Sequence, residues 1–149
     1  MKLVLNRDYG GYGLSIEAVI EIFKLKGLIV YPYVITYEMN KMKANKIDLN
    51  MKENYSGFTW GFNKYLTIDP KVDSMTLDDY EELEEYKPLE ADFERTDPDL
   101  IKVVEELGEK ANSNYSELEI VEIPNGFEYT IDEYDGMETV YYGKELGRA

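Results

Sequence analysis

The chain contains neither cysteine nor histidine among its 149 residues. Without cysteine there is no disulfide framework and no thiol nucleophile, and without histidine the commonest metal ligand and the commonest general base are missing. Thiol chemistry, imidazole chemistry and typical zinc sites are therefore excluded. Oxygen-only sites for magnesium or calcium stay open because Asp and Glu are plentiful, but no acidic stretch has the spacing of a calcium loop. We predict no cofactor and no dedicated metal site.

Long apolar runs are also missing. The opening stretch, MKLVLNRDYGG, lacks the apolar region and cleavage site of a secretory signal, and no stretch reaches the roughly 18 apolar residues of a membrane span. We therefore expect a soluble, intracellular protein. The length and the 44% hydrophobic content suit one ordinary core, so we predict a single domain over residues 1–149.

Positive charge is scarce, and the formal net charge is -15. Such a charge repels nucleic acid and anionic membranes at long range, and it favours basic partners or mimicry of a polyanion. We expect no direct binding to nucleic acid and none to membranes. A homo-oligomer is compatible with the sequence. The simpler alternative is that the acidic residues serve solubility alone.

Local signals predict two main helices. A short strand, Lys2 to Asn6, leads through a glycine-rich corner to Ser15, which is placed as the N-cap of a helix that Gly27 can end. The second helix, PDLIKVVEELGEKAN, has Asp97 as its N-cap candidate and Pro98 at its first position, where proline is well tolerated.

The remaining segments favour strands. The final third predicts a three-stranded meander, ELEIVEI, FEYTIDEY and METVYY, with turns at PNG and DG. In LIVYPYVITYEM, Pro32 cannot donate to a central ladder, so we predict an edge strand or two short strands. The centre, residues 38–71, is locally basic and aromatic, and its GFTWGF piece predicts a hairpin or ordered loop. The fold class predicted is α+β, with a mixed or antiparallel sheet, two main helices and an irregular β-rich centre.

Two stretches resemble a family of small proteins found widely in bacteriophages and prophages. They are LNRDYGGYGLSIEA and RTDPDLIKVVEELGEKANSNYSELEIVEIPNGFEYTIDEYDGMETV, which cover roughly residues 1–25 and 95–140. Members of that uncharacterised family share the glycine corner, the helix opened by Asp-Pro, and the EIP and EYDG turns. The tail here, YYGKELGRA, departs from the basic and aromatic tail of many members.

The resemblance implies a phage or prophage accessory protein that is dispensable for building the virion and acts in the cytoplasm of a bacterial host cell. Such proteins often counter host defences. It therefore implies a binding protein that sequesters a small nucleotide-type ligand or blocks a host defence protein. No catalytic residues are carried over from the family.

The glycine corner, RDYGGYGLS at residues 7–15, is the first candidate site. Arg7 lies just beyond a strand, and the following helix presents unpaired N–H groups, so a small anion could bind there. The phosphate-loop and dinucleotide motifs are both incomplete. The alternative is a tight turn in which Gly10, Gly11 and Gly13 adopt positive φ values and Arg7 is a surface residue.

The second candidate is IDEYDGMETV, which holds the four carboxylates Asp132, Glu133, Asp135 and Glu138. They could act as acid and base in a carboxylate-dependent enzyme, or bind magnesium; the alternative is solvated charge around a hairpin turn. If the opening and closing strands share one sheet, the two corners meet in one pocket. The ligand-binding residues predicted for it are Arg7, Tyr9, Gly10, Gly11, Tyr12, Gly13, Ser15, Tyr134, Asp135 and Glu138.

The third candidate is the acidic run from Asp78 to Asp99. As a DNA mimic it would inhibit a host nucleic-acid-binding enzyme through partner-binding carboxylates, namely Glu81, Glu82, Glu84 and Glu85. The alternative is a solvated short helix and loop, the usual fate of charge runs. In the centre, Phe58, Trp60, Phe62 and Tyr65 could stack on bases, or else pack as core.

Overall fold

The computed structural model describes residues 1–38, 41–47, 63–76 and 81–143, and they form an α+β fold. The helices are α1 (Ile16–Leu25), α2 (Glu81–Glu84) and α3 (Pro98–Leu107), and α3 continues into a 3-10 turn at Gly108–Ala111. The strands are β1 (Lys2–Asn6), β2 (Tyr31–Glu38), β3 (Lys41–Lys46), β4 (Asn63–Leu66), β5 (Ser74–Thr76), β6 (Leu118–Glu122), β7 (Tyr129–Tyr134) and β8 (Met137–Tyr142).

The chain divides into two compact units. A terminal unit comprises Met1–Ile22 and Phe93–Ala149, and a central unit comprises Phe23–Asp92. Each unit has its own set of buried apolar residues. That the whole chain behaves as one domain stays a prediction.

Strand β1 is the centre of the terminal unit. It pairs antiparallel with β6, and its side chains alternate between two apolar clusters. Val4 faces the cluster formed with the helices, which contains Ala18, Ile22, Leu100, Val103, Val104 and Ala111. Leu3 and Leu5 face the other way, against Ile123 and the apolar side chains of β7 and β8. Burial on both faces explains why β1 is a continuous apolar run.

The three predicted C-terminal strands are present, but their pairing differs from a meander. Strand β6 pairs with β1, and β7 pairs with β8 across the DG turn. Beyond β6, the backbone groups of Ile123 exchange hydrogen bonds with those of Met1 at 2.8 and 2.9 Å, and Pro124 then supplies no N–H donor. Strand β6 therefore pairs with β1, which is distant in sequence, and not with its neighbour β7.

Both main helices were predicted, and their caps form as expected. The hydroxyl of Ser15 accepts a hydrogen bond from the Ala18 N–H at 3.1 Å. The Asp97 carboxylate accepts from the Asp99 N–H at 2.8 Å, and Pro98 occupies the first turn. These contacts satisfy N–H groups that a helix start would otherwise leave without a partner.

The central unit is a four-stranded antiparallel sheet in the order β4-β2-β3-β5. Strand β2 therefore lies inside the sheet, and the prediction of an edge strand or two short strands was wrong. Pro32 is tolerated because it is the second residue of β2. Its carbonyl accepts from the Ile47 N–H at 3.0 Å, and the pairing of β2 with β3 begins only at Tyr33.

Leu83 of α2 packs with Tyr33, Ile35, Ala44 and Leu66 of this sheet.

The GFTWGF segment lies outside the described residues. No helix in the described ranges combines the length and the apolar character needed to cross a membrane.

Candidate functional site

The glycine corner and the DG turn lie directly against each other in the terminal unit. Asp135 and Gly136 have φ values of 49° and 90°, as a type I′ hairpin turn requires. A Cβ atom added to Gly136 would lie 2.4 Å from the backbone nitrogen of Gly11 and 2.5 Å from the carbonyl oxygen of Tyr9. The two corners therefore meet by backbone packing, and not through one sheet shared by all four strands.

The structure requires glycine for different reasons at the three positions of the corner. Only Gly11 has a positive φ, of 99°, so the expectation of positive φ was wrong for Gly10 and Gly13. A Cβ atom at Gly10 would lie 2.3 Å from the Tyr115 carbonyl oxygen, and one at Gly13 would lie 2.7 Å from the Ser113 hydroxyl. Close approach of the segment that contains Ser113 and Tyr115 explains these two positions.

Asn6 holds the two corners together. This residue is fully buried at the end of β1, and its side-chain amide donates to the carbonyl oxygens of Asp8 and Gly136, both at 2.7 Å. Its side-chain oxygen accepts from the N–H groups of Asp8 and Glu117 at 3.1 and 2.9 Å. One side chain thus bonds the corner, the DG turn and the start of β6.

Glu138 is buried beside Asn6 and is bound to Arg95. Its carboxylate accepts from the Asn6 backbone N–H at 2.8 Å and from both terminal nitrogens of Arg95, at 2.6 and 2.8 Å. The guanidinium carbon of Arg95 lies 3.4 Å from the centre of the Tyr12 ring. Asn6, Tyr12, Arg95 and Glu138 form what we call the buried polar cluster. Glu138 and Tyr12, which were predicted to bind a ligand, both contact Arg95 of the same chain.

The groups predicted to bind an anion are engaged within the protein as well. Arg7 donates from Nε to Glu119 at 2.8 Å and from Nη1 to the Glu138 carbonyl oxygen at 2.9 Å. The Ser15 hydroxyl donates to the Lys110 carbonyl oxygen at 2.6 Å while it caps α1. The charge of Arg7 is thus paired with Glu119, and the Ser15 hydroxyl is engaged both as donor and as acceptor.

Three tyrosines around the two corners are exposed to solvent. The exposed fraction is 62% for Tyr9, 63% for Tyr115 and 75% for Tyr134. They lie on three segments that meet: the glycine corner, the loop that packs on Gly10, and the strand that leads into the DG turn. We call these residues the corner tyrosines. Asp135, in the turn itself, is exposed too.

Sequence reasoning identified Tyr9 and Tyr134 but missed Tyr115, Asn6 and Arg95. A signal existed for two of them. Arg95 is one of only two basic residues in the acidic run from Asp78 to Asp99, and Tyr115 is a large aromatic residue in the polar segment NSNYSE. Nothing in the local pattern marks Asn6, because the partners that its side chain bonds beyond Asp8, namely Glu117 and Gly136, lie far away in the sequence.

The acidic candidate is a short element of the central unit. Glu82, Glu84 and Glu85 are exposed, whereas Leu83 between them is 1% exposed and anchors α2 to the sheet. Glu81 begins α2, and its side chain is outside the described set. Polyanion mimicry by this segment stays a prediction.

The aromatic centre is described only in part. Phe58, Trp60 and Phe62 fall outside the described residues, and Tyr65 is 4% exposed. Burial raises the pKa of Tyr65 to about 12, and a hydrogen bond with Asn63 acts in the opposite direction. Burial also raises the pKa of Tyr33. Tyr65 is a core residue and does not offer its ring for base stacking.

Within the described ranges, no group of three or more Asp or Glu side chains is arranged to hold a metal ion. Comparison of the chain with family models, with curated proteins and with solved structures gives no match. The choice of a binding surface therefore rests on the residues of the site itself.

Proposed function

We propose that this protein is a non-catalytic binding protein that blocks a host protein, and that the corner tyrosines contact the host protein. The observation that carries the proposal is the exposure of Tyr9, Tyr115 and Tyr134 on the glycine corner and on two segments that each pack against that corner. Scattered exposed apolar residues need no explanation, but large aromatic side chains grouped around one structural point do.

Tyrosine is well suited to such a contact. It buries a large area on binding and loses little conformational entropy, because only two side-chain torsions are fixed. Its hydroxyl can still bond to water or to a polar partner group. Tyrosine is accordingly among the residues that dominate measured binding energies at protein interfaces.

The charges around the corner favour a protein over a nucleotide-type ligand. Arg7 is paired with Glu119, and Arg95 is paired with Glu138, so the local cations are already compensated. Phosphate recognition relies on charge-assisted donors that are available to the ligand. A nucleotide would therefore compete with Glu119 and Glu138 for the charges of these two arginines.

The resemblance of the sequence to phage and prophage accessory proteins supplies the setting of the proposal. We place the protein in the cytoplasm of a bacterial host cell, where a host defence protein is the partner. Catalysis is not part of the proposal, since the buried carboxylate of the region, Glu138, is held in a bidentate pair with Arg95.

Site-specific photo-crosslinking in bacterial cells tests this function. The photoreactive residue p-benzoylphenylalanine replaces Tyr9, Tyr115 or Tyr134 in turn, and Tyr141 is the matched control. Tyr141 is an exposed tyrosine near the end of β8 that lies away from the DG turn. We expect one shared protein adduct from the three corner positions and none from the control.

Two outcomes contradict the proposal. Equal crosslinking from Tyr141 would mean that the corner is no special surface. A small molecule retained by the wild-type protein in native mass spectrometry and lost on Tyr9→Ala, with no protein adduct, would show a sequestering protein instead.

A further inference from the structure

We infer that the corner tyrosines receive an arginine- or lysine-bearing segment of the partner protein. This inference rests on the proposed function and specifies the chemistry of the partner. It is drawn from the carboxylates that accompany the three tyrosines and from an ion pair stacked on a tyrosine inside the same unit.

Exposed carboxylates lie on each of the three segments that carry the corner tyrosines. Asp8 precedes Tyr9, Glu117 follows Tyr115 by two residues, and Asp135 follows Tyr134. None of these three carboxylates forms an ion pair with a described residue. A cation that approaches this surface therefore meets carboxylates without a cationic partner, which a neutral or acidic segment would not exploit.

The buried polar cluster shows the same contact within the protein. The Arg95 guanidinium stacks on the Tyr12 ring at 3.4 Å while its nitrogens bond to the Glu138 carboxylate. A guanidinium is weakly hydrated and planar, so it combines a ring contact with a carboxylate contact at little desolvation cost. Asp8 precedes Tyr9 and Asp135 follows Tyr134 in the chain, and all four residues are exposed to solvent.

The net charge of the chain also favours a partner with a basic surface. The net charge of -15 accelerates the encounter with a basic surface and slows the encounter with nucleic acid. It also opposes association with a second copy of this chain. Because a guanidinium stacks on rings better than an ammonium, we expect arginine to bind more tightly than lysine.

Titration with synthetic peptides tests the inference on the full chain. Four peptides of equal length carry arginine, lysine, glutamine or glutamate at alternating positions between glycines, and nuclear magnetic resonance follows the backbone amides. We expect the arginine peptide to bind most tightly and the lysine peptide more weakly. The glutamine and glutamate peptides should not bind. The shifted amides should be those of residues 8–11, 113–117 and 133–136.

Matched variants separate the ring contribution from the charge contribution. Combined Tyr9→Ala, Tyr115→Ala and Tyr134→Ala should weaken arginine-peptide binding by about tenfold or more, since each exposed cation–ring contact contributes a factor of roughly two to five. Tyr141→Ala should leave it unchanged. Asp8→Asn with Asp135→Asn should reduce the dependence of binding on salt, and asparagine tolerates the positive φ of position 135.

The outcomes distinguish this inference from the proposed function. If the corner positions crosslink to a host protein whose contacting segment lacks arginine and lysine, the inference is overturned and the proposed function stands. The inference is likewise overturned, and the proposed function untouched, if the arginine peptide binds the triple alanine variant as tightly as wild type. If the corner positions give no protein adduct at all, both fail.

Discussion

The guanidinium of Arg95 and the carboxylate of Glu138 form a two-bonded ion pair at 2.6 and 2.8 Å, although 43 positions separate them in the sequence. The side chain of Glu138 is 7% exposed and that of Arg95 is 23% exposed. This pair joins β8 to the segment that precedes α3, beside the two corners. Removing one partner would leave the other charge poorly solvated and without its counterion.

Glu138→Gln should therefore lower the free energy of unfolding by about 3 kcal/mol, a cost typical of breaking a buried pair on one side. Urea denaturation measures it. The matched control is Glu105→Gln, which removes the partner of Lys2 in a half-exposed ion pair and should cost less than about 1 kcal/mol. Equal effects at the two positions would show that the Arg95–Glu138 pair contributes no more than a surface pair does.

Gly136→Ala should destabilise the protein far more than Gly126→Ala. Both glycines have similar positive φ values, 90° and 85°, so the backbone strain on alanine is shared, about 1 kcal/mol or more. Only at Gly136 would the added Cβ atom also collide with the backbone of Tyr9 and Gly11, whereas nothing lies within 4 Å at Gly126. Thermal unfolding of the two variants checks the difference, and matching melting temperatures would exclude the tight contact between the corners.

Asn6→Asp should be among the most damaging single-atom changes in the chain. The new carboxylate oxygen would face the carbonyl oxygens of Asp8 and Gly136, which now accept hydrogen bonds from the Asn6 amide. Loss of two donors and burial of a charge should cost about 3 kcal/mol or more.

The control for this change is Asn125→Asp. The Asn125 side-chain oxygen accepts from the amino group of Met1 at 2.6 Å at an exposed site, so a carboxylate there should keep or slightly raise the stability. Urea denaturation at neutral pH compares the two variants. A tolerated aspartate at position 6 would contradict the hydrogen bonds assigned to Asn6.

Local chemistry made the helices and the turns predictable. Ser15 and Asp97 are capping residues that act within three positions of themselves, and Asp-Gly selects a tight hairpin wherever two strands flank it. The α+β class follows from these elements. Pro32 misled the prediction because the rule against proline in central strands does not apply at the start of a strand.

Contacts between distant segments were not predictable from the same signals. The pairing of β1 with β6 and the bond from Asn6 to Gly136 each join residues more than 100 positions apart, and no periodicity encodes such partners. The candidate site was found in part because both of its corners have glycine signatures. Their contact required a hypothesis about topology, and the packing that produces it differs from the shared sheet that the hypothesis assumed.

The buried phenol of Tyr65 should make stability fall at alkaline pH. Burial raises its pKa to about 12 from the ordinary value of 10.0, so the folded protein favours the neutral form. The stabilisation is fully present below the unfolded pKa near 10, and it is lost as pH rises through the folded pKa near 12. Two pKa units correspond to about 3 kcal/mol at most.

Tyr65→Phe isolates this effect, because phenylalanine keeps the ring that lies 6.0 Å from Phe23 and cannot ionise. Urea denaturation of both proteins from about pH 8 to about pH 12 gives the difference in unfolding free energy at each pH. Other groups that titrate in this range, including Tyr33 with its raised pKa, are common to both proteins and cancel. We expect the unfolding free energy of the variant to rise relative to that of the wild type as the pH rises. A difference that is constant across the range would mean that the Tyr65 phenol ionises with equal ease in the folded and unfolded states.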